Sequence, residues 1–163
     1  MRQAYQDERE RLDATSALCD GAGQAFPEAP GFVPPARARM VVFTQTRGEF
    51  RRGYSTDFRD WSPSPPGIDL TAVIACVDDV DTELDVCRYP GGRNMRRVQR
   101  DRRVRLFSLQ TGAVVVDVAL PGSQPDGCAA IEEFYGGEGD NVKAGSTPGD
   151  DTVATFLRTY VTP

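Results

Sequence analysis

The chain has 163 residues, 39% of them hydrophobic, with 24 acidic against 19 basic side chains and no histidine. That length fits one domain with a core of its own, and a net charge of −5 argues against a polyanion spread over the whole surface. Lacking histidine, the chain has no Ser-His-Asp or Cys-His nucleophile and no histidine-bound metal.

Residues 1–18 read as a polar, helical arm in which Tyr5 and Leu12 are the large apolar residues before Leu18, a stripe expected to bury little. Residues 21–35 are rich in Gly, Ala and Pro and read as an extended linker or strap. The β-branched run at 39–46 is the first strand, and 48–67 is a long loop holding Phe50, Tyr54, Phe58 and Trp61. The continuous apolar run at 70–77 has strand length and suits a strand covered on both faces. An acidic stretch follows, and 83–89 alternates again, so the two runs predict a hairpin with its turn near Asp78, Asp79 and Asp81. After Pro90-Gly91-Gly92, 97–109 and 113–120 flank Thr111-Gly112 as a second hairpin. A glycine-rich loop then leads to a helix over 148–161, with Thr147 as cap, Pro148 at its first position, and Val153, Phe156, Leu157 and Tyr160 on one stripe. The expected fold is mainly β, or α+β: an antiparallel β sandwich or sheet built from two hairpins, the C-terminal amphipathic helix packed on it. Residues 1–36 form arm and linker, and 37–163 a single β-rich domain.

Cys19, Cys76, Cys87 and Cys128 make an even set without a C-x-x-C pair, which favours disulfides over structural zinc and places the chain outside the reducing cytosol. The alternative is four free thiols in a cytosolic protein. Of three connectivities, Cys76–Cys87 across the hairpin with Cys19–Cys128 is preferred, and pairing of Cys87 with Cys128 is the main rival. Residues 1–5 begin no signal peptide, so this reading expects a leader or anchor outside the sequence.

Arg93, Arg96, Arg97, Arg100, Arg102 and Arg103 crowd one segment, with Arg88 and Arg105 at its ends. Arginine forks grip phosphate, sulfate and carboxylate, so these are candidates for a polyanion or acidic partner. The competing and preferred reading pairs them with the neighbouring acids. Few aromatics interleave them, so no specific nucleic acid is expected. Asp79, Asp81, Glu83 and Asp85 fall at every second position and are weak calcium candidates, since Leu84 and Pro90 break the EF-hand pattern. Glu138, Asp140 and Asn141 form a second such set. Phe50, Tyr54, Phe58 and Trp61 are candidates for an aromatic binding loop, with closure of one end of the core as the competing reading, preferred for proline-flanked Trp61. Neither Gly91-Gly92 nor Gly136-Gly137 is a phosphate loop, and no catalytic residue, resident metal or cofactor is assigned.

The succession A-C-V at 75–77, C-R-Y at 87–89, R-L-F-S-L-Q-T-G-A-V-V-V at 105–116 and P-G-S-Q-P-D-G-C at 121–128 resembles extracytoplasmic domains of uncharacterised bacterial membrane proteins and lipoproteins. The resemblance covers about 70–128, and implies a β-rich fold and an extracytoplasmic location but no activity. The functional expectation is an extracytoplasmic or secreted binding or assembly module without catalysis, with a protein partner and a membrane reached only through a segment outside this chain. A polyanion-binding module using the arginine strand 93–105 is the alternative, and a carboxylate-based hydrolase the second.

Overall fold

The computed structural model describes residues 2–53, 55–62, 67–130 and 141–163. Strands hold 40% of the chain and helices 25%, so the β-rich class stands. The elements are α1 (Arg2–Ala14), β1 (Ala36–Arg37), β2 (Met40–Thr46), β3 (Glu49–Arg52), β4 (Val73–Tyr89), β5 (Arg93–Ser108), β6 (Val114–Leu120), β7 (Asn141–Ala144), α2 (Asp150–Leu157) and β8 (Val161–Thr162). The main sheet runs β3-β2-β4-β5-β6, with β7 also on β5, and β1 pairs with β8 in a separate parallel ribbon. Contacts divide the chain into two compact units: Met1–Asp78 with Arg103–Val118 and Gly149–Pro163, and Asp79–Arg102 with Ala119–Pro148.

In the first unit β2 and β4 are parallel, Met40 opposite Val73 through Thr44 opposite Val77, where antiparallel hairpins were expected. Parallel neighbours need a long crossover. Here it includes β3, turned back antiparallel on β2 through Arg47 and Gly48, whose φ angles of 54° and 84° match a two-residue hairpin turn. The supposed long loop at 48–67 therefore begins with a strand. Both faces of the parallel pair are covered, which explains its unbroken apolar sequence. Val41, Phe43, Ile74, Cys76 and Phe107 pack with Leu12, Leu18, Cys19 and Ile68. On the opposite face of β2 lies the 3₁₀ turn Thr56–Trp61, and α2 packs on that turn.

The N-terminal segment is thus more than a polar arm. Although Tyr5 is exposed, Leu12 is wholly buried, and the Thr15 hydroxyl donates to the Leu12 carbonyl at 2.6 Å. Arg52 of β3 approaches the Asp13 carboxylate at 2.7 Å, an ion pair without hydrogen-bond alignment. The strap after α1 also contributes, through buried Ala29 and Phe32 and a Phe26 amide bonded to the Leu109 carbonyl. The C-terminal helix is shorter than the predicted 148–161. Gly149, not Thr147, is its N-cap, because the first helical bond runs from the Val153 amide to the Gly149 carbonyl. Val153, Ala154 and Leu157 are buried, and Phe156 meets Tyr160 with ring centroids 5.3 Å apart.

In the second unit the acidic stretch is not a hairpin tip. β4 continues without a break to Tyr89, and the reversal falls at Pro90–Gly92, where Gly91 and Gly92 take φ of 80° and 74°. β7 runs parallel to β5, Met95 opposite Asn141 through Val98 opposite Ala144, so the predicted loop also contains a strand. Beside it the backbone is tight: a Cβ on Gly122 would collide with the Arg100 carbonyl, and one on Gly145 with that of Ser123.

Burial of Leu12 makes a direct claim about α1. Leu12→Ala should lower unfolding free energy in urea by about 2–5 kcal/mol. A loss within about 0.5 kcal/mol, as at an ordinary surface position, would mean that the helix is not docked in solution.

Candidate functional site

Aspartate is a poor strand former, yet β4 stays extended through four acids at alternate positions. The compensation comes from β5. Within the second unit Arg102 meets Asp79 at 3.2 Å, Arg100 meets Asp81 at 2.8 Å, Arg96 meets Glu83 at 2.7 Å, and Arg97 meets Asp85 at 2.7 Å. Arg100 binds Asp81 through two nitrogens, the bidentate geometry that makes guanidinium–carboxylate pairs specific. Arg97 does more: besides both Asp85 oxygens it donates to the carbonyls of Pro125 and Asp126, holding the segment that carries Cys128 beside Cys87. Arg93 is likewise engaged. Within the first unit Arg103 makes a bidentate pair with Asp117 at 2.8 and 2.6 Å, and Arg105 reaches Asp78 at 3.0 Å with its guanidinium 5.7 Å from the Phe50 ring centroid.

The arginine candidates and the calcium candidates are therefore each other's partners. Asp79, Asp81, Glu83 and Asp85 each face a guanidinium, so a calcium ion there would have to displace arginines. Among the described residues one group of three acid or cysteine side chains comes close enough to hold a metal, Asp85, Cys87 and Cys128, and its two sulfurs are bonded to each other. Glu138 and Asp140 lie outside the described residues. Hydrogen bonding by Arg100 pushes the Asp81 carboxyl below its ordinary pKa, against the opposing effect of burial, and Arg103 does the same to Asp117. That direction is the reverse of what a general acid needs.

Of the aromatic candidates, Tyr54 lies outside the described residues and Phe50 is half-buried in β3. Phe58 and Trp61 are core residues, which removes both from the binding-loop candidates and matches the core closure preferred for Trp61. Trp61 is wholly buried, its Nε1 donates to the Val161 carbonyl at 3.1 Å, and the Arg158 guanidinium lies 5.2 Å from its ring centroid. A buried indole requires such a partner.

The cystines are Cys19–Cys76 and Cys87–Cys128, each with Cα atoms 5.5 Å apart. This overturns the preferred Cys76–Cys87 and Cys19–Cys128 pairing. The correction has a simple cause: with β4 unbroken from Cys76 to Cys87, the two cannot stand opposite one another. Sequence reading also missed a cavity of about 320 Å³ in the first unit, floored by Phe32 and Ala72 with Arg37 and Arg39 in its lining. Its only sequence trace is the R-A-R alternation at 37–39. Asp117 was missed as well, although a lone acid within a valine run is a cue for a cross-strand cation.

No family model matches the chain, and no curated protein or solved structure matches it.

Two outcomes follow from this geometry. Since Asp81 and Asp117 are depressed in the folded state, their contribution is complete above the ordinary aspartate value of about 3.9 and disappears as pH falls through the lower folded value. Both side chains are over two-fifths exposed, at 44% and 42%, so solvent screening limits each pair to about 1 kcal/mol. Asp81→Asn and Asp117→Asn should each lower stability at neutral pH by up to that amount and flatten its acid-side decline in chemical denaturation; an unchanged acid slope would contradict the pairing. Limited reductant followed by alkylation and peptide mapping should label Cys87 and Cys128 first, because Cys128 is exposed whereas Cys19 and Cys76 are 2% and 0% exposed. Earlier labelling of Cys19 or Cys76 would show the reverse order of protection.

Proposed function

We propose that the protein is an extracytoplasmic binding or assembly module whose partner is another protein. The carrying observation is the pair of disulfides, which close separations of 57 and 41 residues and leave no free cysteine. In the chain-entropy model such loops each contribute about 4 kcal/mol, a large share of a domain's net stability. A fold this dependent on oxidised cysteine suits a compartment that keeps cystines intact. No helix among the described residues is long and apolar enough to cross a membrane. The resemblance expected from residues 70–128 points to the same compartment.

The arginine strand gives less support to the polyanion alternative. Arg96, Arg97, Arg100, Arg102 and Arg103 each already hold a carboxylate, and a phosphate would have to compete with it. The carboxylate-hydrolase alternative is weakened in the same way by the depressed Asp81 and Asp117.

Alkylation of the natively purified protein tests the compartment. Mass spectrometry should show no label before reduction and labels on all 4 cysteines after it. Free thiols at these positions in the native protein would remove the reading's foundation.

A further inference from the structure

We propose that the outer edge of β4 over residues 79–88 docks an extended segment of another protein that has basic residues at every second position and apolar residues between them. The inference rests on the binding-module reading and specifies the partner's chemistry.

β4 has β5 on one side, while β2 registers only against residues 73–77 on the other. Beyond that point no described strand lies against the β2-side edge. Ten residues, about 33 Å of strand, therefore present every second backbone N–H and C=O outward. Natural edges of this length usually carry proline, lysine or a bulge that discourages pairing. Neither proline nor lysine occurs at 79–88; its charges are four acids and Arg88, which discourage an acidic strand and leave a basic one admissible. An incoming strand that completes the ladder is a recognised mode of peptide capture, with backbone bonds giving affinity and alternating side chains giving specificity.

The side-chain pattern selects the occupant. Val80, Leu84 and Val86 are each 37–38% exposed, and they alternate with Asp79, Asp81, Glu83 and Asp85, which point to the other face. A second copy of this chain fits badly in either antiparallel register. One register sets acids opposite acids; a one-residue slip sets acids opposite valine and leucine. A segment alternating basic and apolar residues satisfies both stripes at once. The four carboxylates remain 44–53% exposed despite their arginines. A calcium ion would need several of their oxygens at once and so displace those arginines, whereas an incoming side-chain cation needs one remaining lone pair on each.

The test uses the intact oxidised protein and a short synthetic peptide alternating arginine and valine. Its controls are a peptide of the same composition with the arginines in one block, and a glutamate–valine alternation. The alternating basic peptide should bind at least about tenfold more tightly than the block peptide, weaken with added salt, and slow hydrogen exchange at alternate amides of residues 79–88. The glutamate peptide should not bind. Leu84→Lys, a change at an exposed position, should cost at least about tenfold in affinity while leaving the circular dichroism spectrum unchanged. Should that variant misfold, exchange protection in the unsubstituted protein decides the matter. Equal binding of the block peptide, no binding, or protection away from β4 would overturn the proposal. So would a concentration-dependent dimer protected at 79–88, which would make a second copy the occupant. The compartment reading fails separately, on free thiols, whatever the peptide does.

Discussion

The constraint on which this structure depends is that one strand, β4, must remain extended through two incompatible sequences. Residues 73–77 are apolar and satisfied by burial on both faces, with β2 supplying the ladder on one side. From Asp79 onward the same backbone carries an acid at every second position, a composition that by propensity belongs in a turn. What keeps it a strand is the row of guanidinium groups on β5. The arginine bias of the sequence thereby acquires a structural purpose, since lysine cannot offer the planar fork seen at Arg100 or the divided donation seen at Arg97.

The sequence was readable where burial alone decides local structure. The run at 70–77 announced a central strand, which begins at Val73 after a 3₁₀ turn that includes Leu70, and the run at 39–46 announced the strand beside it; the Thr111-Gly112 turn placed the β5–β6 reversal, and the stripe through Val153 and Leu157 marked the last helix. It misled where a distant partner decides. Asp79 and Asp81 look like a turn until Arg102 and Arg100 are placed beside them, and that misreading shifted the hairpin and with it the cystine pairing. Leu12 looked like a lone apolar residue on a charged arm because nothing local shows that Val41 and Ile74 wait beneath it. Thr147 has the chemistry of a cap, but the helix begins later, at Gly149, which has no side chain to cap it and is followed by the first-turn acids Asp150 and Asp151.

The candidate site shows the same division. Proximity of acids and arginines was legible from their alternation, and their mutual neutralisation was the reading preferred for the cluster. The β4 edge left unpaired among the described residues was not legible, because an edge is a property of strand order, which the parallel β2–β4 pairing fixes through a crossover of non-local contacts. The aromatic residues divided on burial: proline-flanked Trp61 closes a core, whereas Phe50 sits half-covered beneath Arg105.

The order of the cystines carries one more consequence. Cys19 joins Cys76 and Cys87 joins Cys128, so the first cysteine in the chain bonds the second and the third bonds the fourth. The two closed loops neither overlap nor nest. An oxidant that joins cysteines in the order the chain presents them would therefore make only native bonds. Such an order of cystines needs an oxidant but no shuffling by an isomerase.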